Sequence, residues 1–91
     1  MIRTYKIEVL GRVQMVGFRW FTQRLAKQFN IKGNVKNTIT GTVEIIAEGE
    51  EENLNLFVGQ VKKGPRAANV TNLVKEEITT KKEYSTFDII G

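Results

Sequence analysis

The sequence predicts an α+β sandwich in which two helices cover one face of a largely antiparallel sheet. Three observations carry that expectation. Residues 3–10 alternate, with Tyr5, Ile7 and Val9 on one face and Thr4, Lys6 and Glu8 on the other, the period-two pattern of a half-buried strand. Two later stretches repeat their apolar residues at three- and four-residue steps, as helices with one buried face do: Phe18, Phe21, Leu25 and Phe29, then Leu54, Phe57, Val58 and Val61. Strand-like segments lie between and after them, so the chain runs strand, helix, two strands, helix, strand, and then one strand more.

Each element brings its own signals. The first helix should end near Asn30, a residue type that tolerates the left-handed conformation of a helix cap. Residues 31–36 and 42–48 read as two strands joined by Asn37-Thr38-Ile39-Thr40-Gly41 as a hairpin turn. The second helix should run from about Glu51 to Lys63. Glu50, Glu51 and Glu52 at its start and Lys62 and Lys63 at its end suit the helix dipole, and Gly64-Pro65 terminates it. Residues 69–79 and 85–90 supply further strands, separated by a polar turn from Thr80 to Tyr84. The order is that of a ferredoxin-like βαββαβ sandwich with an extra C-terminal strand, a single domain over residues 1–91. In such a fold the loop after the first strand and the turn between the second and third lie close together, which places Arg19 beside Asn37.

Composition narrows the chemistry. With no cysteine, disulfides and thiolate nucleophiles are excluded, and with no histidine so are serine–histidine triads and phosphohistidine intermediates. No stretch approaches the roughly 20 apolar residues of a membrane span, and no signal-peptide segment opens the chain, so a cytoplasmic protein without membrane association is expected. The net charge of +4 is unevenly spread. From Val9 to Val43 there are six basic residues (Arg12, Arg19, Arg24, Lys27, Lys32 and Lys36) and no acidic one, whereas residues 44–91 carry six basic against nine acidic groups. The positive field therefore centres on the first helix and its approach, where it favours an anionic ligand.

That approach is Gly11-Arg12-Val13-Gln14-Met15-Val16-Gly17-Phe18-Arg19, a glycine-punctuated loop entering a helix whose first turn carries an arginine. Backbone N–H groups, the positive end of the helix dipole and a guanidinium all aim at one small volume, as a phosphate site requires. Arginine there opposes the dipole by roughly 0.3–1 kcal/mol, a repulsion that a bound anion turns into shared attraction. The spacing does not fit the Gly-x-x-x-x-Gly-Lys-Ser/Thr loop of nucleotide triphosphatases, and no clustered carboxylate set suggests a metal. Hydrolysis of a carboxylic–phosphoric anhydride suits these limits. Its leaving carboxylate departs without prior protonation, so the protein need only position water and stabilise the phosphoryl oxygens.

Residues 11–19, then Gly33-Asn34-Val35-Lys36-Asn37 followed by Gly41-Thr42-Val43-Glu44, closely resemble the acylphosphatase family. Gly64-Pro65 with Ala68 and Val70, and Phe87 with Ile89, extend the resemblance along essentially the whole chain. It implies a ferredoxin-like fold and hydrolysis of small acyl phosphates to a carboxylate and inorganic phosphate, with no cofactor and no metal. It further implies that the backbone amides of Gln14, Met15, Val16, Gly17 and Phe18 hold the phosphate together with Arg19, while the side-chain amide of Asn37 orients the attacking water. Inorganic phosphate or sulfate should bind in the same place, and the protein should act as a monomer. Trp20, off the apolar stripe of its helix, reads as packing; Thr22 reads as helix packing or support for the site.

Two departures from the family pattern stand out. Met15 replaces a common loop glycine, at a cost on the order of 1–2 kcal/mol if the position needs positive φ; otherwise φ is negative and the side chain turns outward. Thr40 replaces an aspartate before the hairpin glycine, which bears on turn preference more than on chemistry. Two other readings remain: a small nucleic-acid-binding module using the basic stretch, and a catalytically weakened ligand-binding domain.

Overall fold

The computed structural model describes residues 1–80 and 82–91. Its elements are β1 (Ile2–Arg12), α1 (Phe18–Gln28), β2 (Lys32–Asn37), β3 (Val43–Glu50), α2 (Glu51–Lys63), β4 (Asn69–Glu77) and β5 (Phe87–Ile89). They form one five-stranded sheet in the order β4-β1-β3-β2-β5, antiparallel except for β5, which runs parallel to β2. This is the ferredoxin-like sandwich the sequence predicts, with its extra strand added beside β2.

Strand boundaries differ from expectation chiefly near the end of the chain. β4 stops at Glu77 and β5 covers only Phe87–Ile89. Both are edge strands, so pairing is available on one side alone. The turn expected over Thr80 to Tyr84 includes Lys81, which lies outside the described residues. The second helix matches its capping signals, from Glu51 to Lys63, with Gly64 at φ 71°.

The alternation in β1 buries Tyr5, Ile7 and Val9, which meet Val43, Ile45 and Ala47 of β3 and Val35 of β2 in one core with Leu54, Phe57 and Val61 of α2. On α1 the buried face is Phe18, Thr22, Leu25 and Ala26, whereas Phe21 and Phe29 are only partly covered. The helix is thus turned slightly from the face its aromatic spacing suggests. Thr22 fits within the core because its hydroxyl donates to the Phe18 carbonyl oxygen at 2.8 Å. Asn30 adopts φ 57°, the left-handed cap expected of it. Among the described residues no helix is long and apolar enough to cross a membrane.

Register decides where the ends of the strands meet. Val9 near the end of β1 pairs with Val43 at the start of β3, and Val43 in turn pairs with Asn37 at the end of β2. The β1–α1 loop and the β2–β3 hairpin therefore emerge side by side at one end of the sheet.

Candidate active site

β1 shifts register between Leu10 and Gly11 and ends at Arg12, after which buried Val13 anchors the loop into α1. Met15 at φ 62° and Gly17 at φ 79° flank Val16, so left-handed residues alternate with an ordinary one. Such alternation points successive N–H groups toward a common concavity, the backbone nest that holds anions. The N–H groups from Gln14 to Trp20 donate to no protein acceptor among the described residues. Gly17 caps α1 without a side-chain bond, and the first turn holds no acidic residue. The helix start is thus left with unmet donors and a positive end.

Of the two conformations open to Met15, the structure shows positive φ with an outward side chain, which is 99 % exposed. The loop keeps its left-handed kink although the residue is not glycine.

Across the cleft, the Asn37 N–H donates to the backbone oxygen of Gly91 at 3.2 Å. Its side-chain Oδ1 is buried without a hydrogen-bond partner. The Arg19 Nη1 donates to the same Gly91 oxygen at 2.6 Å, so the segment after β5 ties the guanidinium to the strand that carries Asn37. Gln14 forms a second tie. Its Nε2 donates to the carbonyl oxygens of Thr38 and Thr42, each at 2.9 Å, clamping the loop onto the hairpin. The hairpin is itself closed by the Thr38 N–H donating to the Thr42 carbonyl oxygen and by a 2.7 Å contact between the two hydroxyls.

These parts enclose a cleft of about 240 Å³ lined by Val13, Met15, Gly17, Phe18, Arg19, Trp20, Asn37 and Ile89. Five of the expected site residues line it. Gln14 and Val16 do not: the Gln14 side chain is committed to the hairpin, and Val16 packs against the core. Ile89, Gly91 and the clamping role of Gln14 escape the sequence reading. A parallel strand pairing set by tertiary contact has no local signature, and a glutamine in a loop gives no sign of which carbonyl it will find. The cleft wall contains one cation and no anion, and among the described residues no group of three acidic side chains is placed to hold a metal. The open face of the sheet presents Lys6, Glu8, Glu44, Ile46 and Glu48, without the aromatic platform on which bases stack.

Fold and cleft together define a small ferredoxin-like α+β protein with an amide-rich basic cleft at one end of its sheet. The family model described as Acylphosphatase matches residues 5–89. An acylphosphatase of Clostridium acetobutylicum is 47% identical over 90 residues, 99% of each chain, and one of Thermotoga maritima is 50% identical over 88 residues, 97% of each. The crystal structure of acylphosphatase from Bacillus subtilis superposes with a TM-score of 0.94 at 42% identity, covering 100% of both chains. The chain belongs to the acylphosphatase family.

Proposed function

We propose that this acylphosphatase holds the phosphate of a small acyl phosphate between the backbone amides of Gln14, Met15, Val16, Gly17 and Phe18 and the guanidinium of Arg19, with the attacking water on the Asn37 side-chain amide. The water oxygen attacks phosphorus as the bond to the acyl oxygen breaks. The carboxylate departs as an anion, and the water's proton passes to a phosphate oxygen. Asn37 is too weak a base to take it, so its part is orientation. The observation that carries this reading is the pairing of two unmet demands across one cleft: a run of N–H groups without acceptors and a buried Asn37 Oδ1 without a donor. Only the Asn37 Oδ1 is enclosed, so its missing partner costs free energy, whereas the loop N–H groups border exposed or half-buried residues and meet solvent, which a bound tetrahedral anion displaces. Inorganic phosphate and sulfate fit the same cradle.

The test is hydrolysis of acetyl phosphate by the purified protein without added metal. Arg19→Ala should lose at least roughly 10²–10³-fold in turnover, the cost of one transition-state donor. Arg19→Lys should fail largely too, because an ammonium lacks the fork. Near-normal rates in both would remove Arg19 from the mechanism. Asn37→Ala should turn over slowly while inorganic phosphate still inhibits; loss of phosphate binding alone would contradict the water-orienting role. We further take residues 1–91 as one domain, a reading supported by the single core that both halves of the chain build, and as a cytoplasmic monomer, whose oligomeric state light scattering checks.

A further inference from the structure

Beside the phosphate cleft lies a second, open cleft of about 500 Å³ that shares two of its residues, Gly17 and Trp20. Its floor is apolar, from Val16, Trp20, Phe21 and Pro65, and its rim carries Arg24 and Arg66. Trp20 is 60 % exposed even though the Arg24 guanidinium lies 4.7 Å from its ring centroid. Neither Arg24 nor Arg66 meets a carboxylate among the described residues. A large exposed aromatic beside two uncompensated cations, in continuity with a reaction cleft, is unused by the hydrolysis described above.

In-line displacement explains what this surface is for. Attacking water and leaving oxygen stand on opposite sides of phosphorus. Water held by Asn37 thus leaves the acyl group on the side away from Asn37. The second cleft excludes Asn37 and adjoins the first at Gly17 and Trp20. We propose that it is the acyl-group subsite: Trp20 and Phe21 receive an apolar acyl stem, and Arg24 and Arg66 bind a second anionic group at its far end. The preferred substrate is then a monoacyl phosphate of a dicarboxylic acid, or one with a comparable distal anion. This assignment rests on the phosphate lying in the Arg19–Asn37 cleft.

Three substrates test it: acetyl phosphate, hexanoyl phosphate and adipoyl monophosphate, assayed as kcat/KM with the whole chain. The expected order is adipoyl above hexanoyl above acetyl. Trp20→Ala should cost the two longer substrates about fivefold more than it costs acetyl phosphate, the effect of losing apolar contact. Arg24→Gln combined with Arg66→Gln should lower adipoyl monophosphate alone, chiefly through KM. Added salt should shrink that difference, because exposed charges are screened. If the parent hydrolyses acetyl phosphate but treats all three alike, or if the variants change all three by one factor, the acyl subsite is wrong and the phosphate site stands. If acetyl phosphate is not hydrolysed at all, the phosphate reading itself fails.

Discussion

Met15 shows what a functional loop costs a small protein. A methionine at φ 62° with its side chain in solvent has no packing to offset the conformation; the left-handed turn is what the proposed nest of N–H groups needs at this position. Met15→Gly should therefore stabilise the fold by roughly 0.5–1 kcal/mol after allowing for the greater freedom of glycine in the unfolded chain. That corresponds to a rise in Tm of roughly 2–8 °C for a domain of this size, read by calorimetry, with acetyl phosphate hydrolysis retained. A fall in Tm would mean that the kink is imposed from outside the residue and is not strained. That Arg19 and Asn37 come to line one cleft is legible in the sequence because each lies in a short glycine-bearing motif next to a strand end. The conformation of Met15 is not, since a loop residue of this kind is compatible with either sign of φ until the neighbouring strands fix the entry and exit of the chain.

Secondary structure is most legible where punctuation and periodicity agree. In α2 the acidic start, the basic end, the Gly64-Pro65 stop and the buried Leu54, Phe57 and Val61 all point to one answer. α1 is legible in place but not in rotation, because Phe21 and Phe29 outweigh Thr22 and Ala26 in any hydrophobic pattern while packing against the sheet favours the smaller pair beside Phe18 and Leu25. β5 is the least legible. Three residues pairing in parallel with β2 depend on Gly33, Asn34 and Val35 being free on that edge, a non-local condition. β2 owes its place between two neighbours to Gly33, at φ 139°, where a side-chain carbon would run into the Ile46 backbone oxygen. Backbone cannot yield as a flexible side chain does. Gly33→Ala should therefore destabilise by about 3 kcal/mol or more, visible as a lowered urea midpoint, and should weaken activity through the displaced Asn37 at the end of the same strand. An unchanged midpoint would show that β2 and β3 can separate locally without loss.

The molecule as a whole works by bringing two loops, distant in sequence, to one end of a sheet and holding them in register. Strand order does the first part: β1, β3 and β2 lie side by side, and the pairing of Val9 with Val43 and of Val43 with Asn37 sets the loops abreast. This much follows from element order alone, which is why the nearness of Arg19 and Asn37 is foreseeable. Register across a sheet nevertheless leaves the loops themselves free to splay. Gln14 closes that freedom, since one side-chain amide donates to both the Thr38 and Thr42 carbonyls and so fixes the β1–α1 loop relative to the hairpin after the strand that carries Asn37, the two sides of the proposed site. Gln14→Ala keeps the Gln14 backbone N–H and the rest of the cradle but releases the clamp. Two hydrogen bonds at about 1 kcal/mol each set the stability loss at roughly 1–2 kcal/mol, because Thr38 and Thr42 retain their own hairpin bonds. The loss in kcat should be larger in proportion, roughly 10–100-fold, because a displacement near 1 Å between nucleophile and phosphoryl group carries such a factor. Inhibition by inorganic phosphate should weaken much less, since anion binding needs only one side of the clamp. Measured together, kcat for acetyl phosphate and the phosphate inhibition constant decide the matter: equal losses in both would make Gln14 a part of the anion site, and a loss confined to kcat identifies it as the residue that holds water and phosphate in line.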